Sequence, residues 1–260
     1  MGQLDDKVAV ITGATGDIGT ATAKAFAREG ASVVLVGRNK ARLEEIAAEL
    51  VGVNGDAEGV VIAVADVSRP DDVAGYVRVA VERFGRIDVF VNNAGYQGVV
   101  APTGSYPIDE FDQVMATNVR GTWLGMRAVM PVMAEQPNGG TIIITSSMGG
   151  TKGFPGFSAY VTSKHANIGL MRTCAVEGAP IGIRVNCVNP GPVESSMMSR
   201  IHELAAPDAP QAVKDQFLAH VPMGRYAAPE EVANVMTFLA DDASSFVTGG
   251  VYTVDGGVMA

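Results

Sequence analysis

Short apolar runs rich in β-branched residues recur along the chain, each followed by a segment of helical length. Val8–Thr12, Ser32–Val36, Val60–Val64, Asp88–Asn92, Thr141–Thr145, Ile183–Val188 and Val251–Val254 read as strands. Most lack polar–apolar alternation, as strands buried on both faces do. Helical segments span about 18–29, 39–50, 70–84, 108–135 and 158–177, and another helix begins near Pro229-Glu-Glu231. Strands alternating with helices through short links predict an α/β fold, a parallel sheet between two helical layers. The 260 residues suit one unit of this kind over 1–260. Residues 191–228 break the rhythm, because Pro192, Pro207, Pro210 and Pro222 punctuate two short helical patterns. An excursion before the last helix is where a substrate lid would sit, although a surface insertion has the same spacing.

Composition narrows the partners. Hydrophobic residues make up 47% of the chain, ample material for a large core. A net charge of −9 opposes binding to nucleic acid or to an anionic membrane. No apolar run approaches the length of a membrane span. The start, Met1-Gly-Gln-Leu-Asp-Asp6, has neither the basic nor the apolar region of a signal peptide, and Asp6 stands where a myristoylation motif wants Ser or Thr. A cytoplasmic protein is expected. Cys174 and Cys187 are not spaced as a metal motif and read as buried structural thiols, so no metal site is expected.

The first strand runs into Thr12-Gly-Ala-Thr-Gly-Asp-Ile-Gly19 and then into a helix. Glycines there let the backbone approach a pyrophosphate, and the helix N-terminus offers free N–H groups and a favourable dipole. This makes Gly13, Thr15, Gly16, Asp17, Ile18 and Gly19 nucleotide-binding candidates. Asp66-Val67 closes the third strand, Asn92-Asn93-Ala94-Gly95 the fourth and Asn189-Pro190-Gly191-Pro192-Val193 the sixth. All stand at the carboxyl ends of strands, where open α/β sheets bind ligands. Tyr160 and Lys164, four apart in Ser158-Ala-Tyr-Val-Thr-Ser-Lys164, share one helix face. A phenol titrates near ~10, and a neighbouring ammonium favours the phenolate. Lowering it by about 3 units needs roughly 4 kcal/mol, within reach of two cations, Lys164 and an oxidised nicotinamide ring.

Together these residues resemble the short-chain dehydrogenase/reductase family, from Val8 to Gly257. The likeness includes the glycine-rich turn, Asp66, the Asn-Asn-Ala-Gly run, Asn118, Ser147, Tyr160-x-x-x-Lys164, Pro190-Gly191 and Val254-Asp-Gly-Gly257. It implies a Rossmann-type sheet of seven parallel strands ordered 3-2-1-4-5-6-7, assembled as a homotetramer or dimer. It also implies that Tyr160 is the acid/base, that Lys164 holds the nicotinamide ribose and lowers the tyrosine pKa, and that Ser147, with Ser146 as its neighbour, binds the substrate oxygen. Asn118, within the helix 108–135, is implied to position a water in the proton relay. Asp66, Val67, Asn93, Ala94, Gly95, Pro190, Gly191 and Val193 fall on the cofactor side.

One position departs from the family's pattern: Asp17 stands where a glycine is usual, with Gly16 one place earlier. Aspartate tolerates left-handed backbone better than most residues, and its carboxylate is expected to cap the following helix. Strand two ends Leu35-Val-Gly-Arg-Asn39, with Gly37 in place of the acid that takes the NAD ribose. Arg38, whose planar fork suits a phosphate, makes NADP the expected cofactor and NAD the alternative. Tyr96, Gln97, Met148, Phe154, Val193, Met197 and Met198 are candidate pocket residues beside Ser147, mostly apolar. They suit an uncharged ketone or secondary alcohol, and residues 192–225 loosely resemble reductases acting on cyclic ketones. Two rival readings are reduction of β-ketoacyl groups on acyl carrier protein and a catalytically silent nucleotide sensor on the same scaffold.

Overall fold

The computed structural model describes residues 2–54 and 57–260. Its seven strands are β1 (Val8–Thr12), β2 (Ser32–Gly37), β3 (Val60–Val64), β4 (Val89–Asn92), β5 (Gly140–Thr145), β6 (Ile183–Pro190) and β7 (Val251–Val254). They pair in parallel, in the order β3-β2-β1-β4-β5-β6-β7. Successive strand side chains point to opposite faces, and here each face meets helices, so both sets must be apolar. Val10, Val34, Phe90, Ile142 and Val185 pack under α3 (Pro70–Phe84), α5 (Gly121–Ala134) and α6 (Ser158–Gly178). Their neighbours Ile11, Leu35, Val91, Ile143 and Val188 pack under α1 (Asp17–Arg28), α2 (Lys40–Asn54) and α9 (Pro229–Ala240). Each such buried Val, Leu or Ile contributes about 1.5–3 kcal/mol. The edge strand β3 is the exception: Val64 is 54% exposed because no strand or helix covers it fully.

The helical segment expected at 108–135 is interrupted. It divides into α4 (Ile108–Met115), a π turn over Ala116–Arg120, and α5. Single π turns inside helices concentrate at functional sites. This one buries Asn118 completely, and the Thr122 hydroxyl donates to the Asn118 carbonyl at 2.7 Å. The excursion after β6 holds α7 (Ser196–Ala205) and α8 (Pro210–Ala219). His202 of α7 packs against the rings of Phe217 and Tyr226, with Nε2 3.0 Å from the Tyr226 hydroxyl. Lys214 of α8 pairs with Glu194 at 2.8 Å.

Every strand ends on the same side of the sheet, and chain order reverses between β1 and β4, the place where such sheets open a crevice. No helix among the described residues is long and apolar enough to cross a membrane.

Candidate active site

A cleft of about 330 Å³ lies over the strand ends. Its floor begins at the glycine-rich turn. Gly13 has φ +63°, and a Cβ there would stand 2.8 Å from the Ala94 Cα, so the turns after β1 and β4 touch backbone to backbone. Thr12 Oγ1 locks them by accepting from the Asn93 and Ala94 amides at 3.0 and 3.2 Å. The Asn93 side chain donates to the carbonyls of Thr12 and Gly13 and accepts from Thr145 Oγ1 at 3.0 Å. The N-terminus of α1, with its unpaired N–H groups, faces this floor.

Of the residues expected on the cofactor side, Gly13, Thr15, Gly16, Asp17, Ile18 and Arg38 line the cleft. So do Asp66, Val67, Asn93, Ala94 and Gly95, and likewise Pro190, Gly191 and Val193. Gly19 does not. It lies buried beneath the turn, where a Cβ would come within 2.2 Å of the Gly13 carbonyl oxygen, so it shapes the turn from below.

Asp66 falls two residues beyond the end of β3 rather than closing it. Burial pushes its carboxyl up, but donation from the Ser68 N–H and hydroxyl, with Arg38 and Arg69 nearby, holds it below the ordinary value. Gly37, which also lines the cleft, sits against the Thr15 side chain: a Cβ would meet Thr15 Cγ2 at 3.2 Å.

Asp17 does not cap α1. The cap position is Gly16, which makes no side-chain bond, and the left-handed residue of the turn is Gly13. Asp17 is the first helical residue, and its carboxylate accepts instead from Ser196 at the start of α7, from the N–H at 2.9 Å and from the hydroxyl at 2.7 Å. The carboxylate thus reaches across the cleft to another helix N-terminus, which a negative charge also favours.

Ser147, Tyr160 and Lys164 meet at the inner end of the cleft. Lys164 is buried, donates to the Thr145 carbonyl at 2.8 Å and lies 5.5 Å from the centre of the Tyr160 ring. Its burial pushes the ammonium down to about 8. Tyr160 keeps a partly open face, but enclosure of its ring pushes the phenol above the ordinary tyrosine value, with the Ser147 hydroxyl pulling the other way. The lowering expected from Lys164 is therefore not a property of these residues alone: desolvation outweighs the pull of the Ser147 hydroxyl. Ser147 Oγ accepts from the Gly149 N–H at 3.0 Å, which leaves its own proton to donate.

Asn118 stands behind the cleft wall rather than in it. Its amide donates to the Tyr96 carbonyl and to Ser163 Oγ, both at 2.9 Å, and accepts from the Tyr96 N–H at 2.8 Å. Ser163 donates in turn to the Tyr160 carbonyl at 2.7 Å, tying the π turn to α6. Asn118 and Lys164 both border Gly95: a Cβ there would be 3.5 Å from Lys164 Nζ and 3.7 Å from Asn118 Oδ1.

On the substrate side Ser147, Met148, Phe154, Met197 and Met198 line the cleft. Tyr96 and Gln97 do not. Asn118 holds the backbone of Tyr96, its hydroxyl donates to Glu110 at 2.9 Å, and Gln97 is buried. Phe157, Ile201 and Phe217 complete the apolar wall. No motif marks Ile201 and Phe217, whose place depends on how α7 and α8 fold back. Thr145 and Ser146 also line the cleft and were legible as the end of β5 and its following residue.

The glycine faces at Gly13 and Gly95, the open N-terminus of α1 and the carboxylate of Asp66 fit a dinucleotide laid across the strand ends. Two hydroxyls and a buried amine at the inner end can hold and transfer a proton.

A family model described as "Enoyl-(Acyl carrier protein) reductase" matches residues 13–259. Levodione reductase of Leifsonia aquatica is 40% identical over 258 residues, 99% of this chain and 96% of that protein. A 3-oxoacyl-[acyl-carrier-protein] reductase of Thermotoga maritima is 38% identical over 257 residues, covering 99% of both. Among solved structures, NAD+-bound xylitol dehydrogenase superposes with a TM-score of 0.93 at 40% identity, over 98% of this chain and 99% of that one.

Proposed function

The chain belongs to the short-chain dehydrogenase/reductase family of nicotinamide-dependent oxidoreductases, and from that premise we propose that it interconverts an uncharged ketone and its secondary alcohol, cyclic ones included, with NADP(H). The observation that carries this reading is the meeting of Ser147, Tyr160 and buried Lys164 at the inner end of the cleft, beside the apolar Met148, Phe154, Met197 and Met198. When bound, the nicotinamide supplies or accepts the hydride. Ser147, its acceptor face occupied by Gly149, turns its proton to the substrate oxygen. Tyr160 is the second donor on that oxygen and gives up its proton in the direction of reduction. A phenol held protonated by its enclosure is ready for that step. Lys164 reloads it through water, which Asn118, bordering the same Gly95, would position.

Arg38 at the cleft mouth, with Gly37 where an acid would read a ribose diol, supports NADP over NAD. The Met197, Met198, Ile201 and Phe217 side chains in the cleft lining support a substrate lid at 191–228 within a single catalytic unit. The proposal includes a cytoplasmic location and a homotetrameric assembly. A second reading, reduction of acyl-carrier-bound β-ketoacyl groups, draws on the Thermotoga relative. A net charge of −9 disfavours an acidic carrier as partner.

The test is a titration of NADPH and NADH by nicotinamide fluorescence, then turnover of small cyclic ketones against a β-ketoacyl thioester. Tight NADPH with ketone turnover is expected. Preference for NADH overturns the cofactor assignment, and turnover of the thioester alone overturns the substrate class. Tyr160→Phe should lower turnover by about 10²- to 10⁴-fold with cofactor affinity kept, and full activity would remove Tyr160 from its role.

A further inference from the structure

Asp17 and Ser196 are 179 residues apart in sequence, and both line the cleft from opposite walls. Asp17 opens α1 beneath the proposed cofactor phosphates. Ser196 opens α7, whose next turn carries Met197, Met198 and Ile201 into the substrate end. The Asp17 carboxylate takes both the N–H and the hydroxyl of Ser196. The cap of α7 is supplied separately by Ser195, whose Oγ accepts from the Met198 N–H at 3.3 Å. Asp17 is therefore not needed to start that helix. Among the described residues these are the side-chain hydrogen bonds that join α7 to the glycine-rich turn. On its far side α7 is held by other contacts, the His202–Tyr226 bond among them.

We infer that Asp17 is a positioning residue: its carboxylate latches the first turn of α7 to the glycine-rich turn and so holds the lid closed over the cleft. The inference rests on the proposed dinucleotide site and adds to it how that site is covered. The pairing explains how an aspartate is tolerated beside an anion-binding turn. Engaged with the N-terminus of α7, its charge is met by two donors and by the helix dipole instead of facing a phosphate. Both residues are solvent-exposed, so the bonds break and re-form at small cost, as a closure that must admit and release a dinucleotide requires.

Ser196→Pro tests this cleanly. Proline at the first helical position is well accommodated, and Ser195 before it already has the extended backbone, φ −152° and ψ 156°, that proline demands. The substitution deletes both donors while sparing the helix and its cap.

Two readouts apply: amide hydrogen exchange over residues 197–205 in the cofactor-free protein, and the dissociation rate of NADPH by stopped-flow fluorescence. Ser196→Pro is expected to speed both by about tenfold, and Asp17→Asn to add little on top of it. If Asp17 acts on the cofactor directly, the two substitutions will change the dissociation rate independently and additively, which overturns the latch. Unchanged exchange in α7, or faster exchange with unchanged NADPH dissociation, also overturns it. Should the wild type bind neither NADPH nor NADH, the proposed function falls, and the exchange experiment on the cofactor-free protein still decides whether the latch exists.

Discussion

Lys164 carries a large electrostatic cost at the inner end of the cleft. Its amine is buried against one carbonyl, and the charged form is disfavoured relative to the unfolded chain, from 10.5 down to about 8. Below pH 8 it is protonated in both states, and the full cost, a few kcal/mol at ~1.4 kcal/mol per unit, is present. Between about 8 and 10.5 only the folded chain has released the proton, so this group's contribution to stability rises with pH. Lys164→Met should therefore be more stable than wild type to urea at pH 7, with the gap closing as pH rises toward 10. A gap independent of pH would contradict the assignment. Gly37 offers a second residue-scale prediction. A Cβ at 3.2 Å from Thr15 Cγ2 fits after a shift of a few tenths of an ångström, so Gly37→Asp should be tolerated. The new carboxylate repels a 2′-phosphate and accepts from a ribose diol. NADPH affinity should fall by about 10- to 100-fold and NADH affinity rise, read by fluorescence titration.

At the scale of elements, the π turn at Ala116–Arg120 is the feature that helical periodicity did not reveal. The turn is chosen by bonds that only the folded chain provides: Asn118 to the Tyr96 backbone and to Ser163, and Thr122 back to the Asn118 carbonyl. Thr122→Val keeps the shape of this buried side chain and removes the hydroxyl. It should cost about 1–3 kcal/mol in chemical denaturation, the price of an unmet buried partner. A loss within error would mean that the hydroxyl does not hold the turn. The strands, by contrast, were legible almost to the residue. Strands buried on both faces must be continuous apolar runs, and little else in a chain looks like that.

At the scale of the whole molecule, apolar side chains stand on the outer surface of several helices and loops. Ile108 is 78% exposed, Trp123 48%, Val176 76% and Phe246 wholly. In the proposed tetramer such side chains would be candidates for burial between copies. Light scattering should give a mass near four times the 27.0 kDa of one chain, and a monomer at micromolar concentration would remove the tetramer from the proposal. The sequence by itself determined the layers, the order of elements and the strand ends over which the cleft opens, because hydrophobic period and glycine placement act locally. Tyr160 and Lys164 were legible as an i, i+4 pair on one helix face, whereas Ser147 and Asn118 came only from the resemblance to the family. Tertiary structure alone decided the rest. It turned Asp17 from a cap into a tie to α7, withdrew Tyr96 and Gln97 from the cleft, brought in Ile201 and Phe217, and raised the Tyr160 phenol where a neighbouring amine suggested the opposite. Each of these depends on which residues, distant in sequence, exclude water from one another, and local pattern does not encode that.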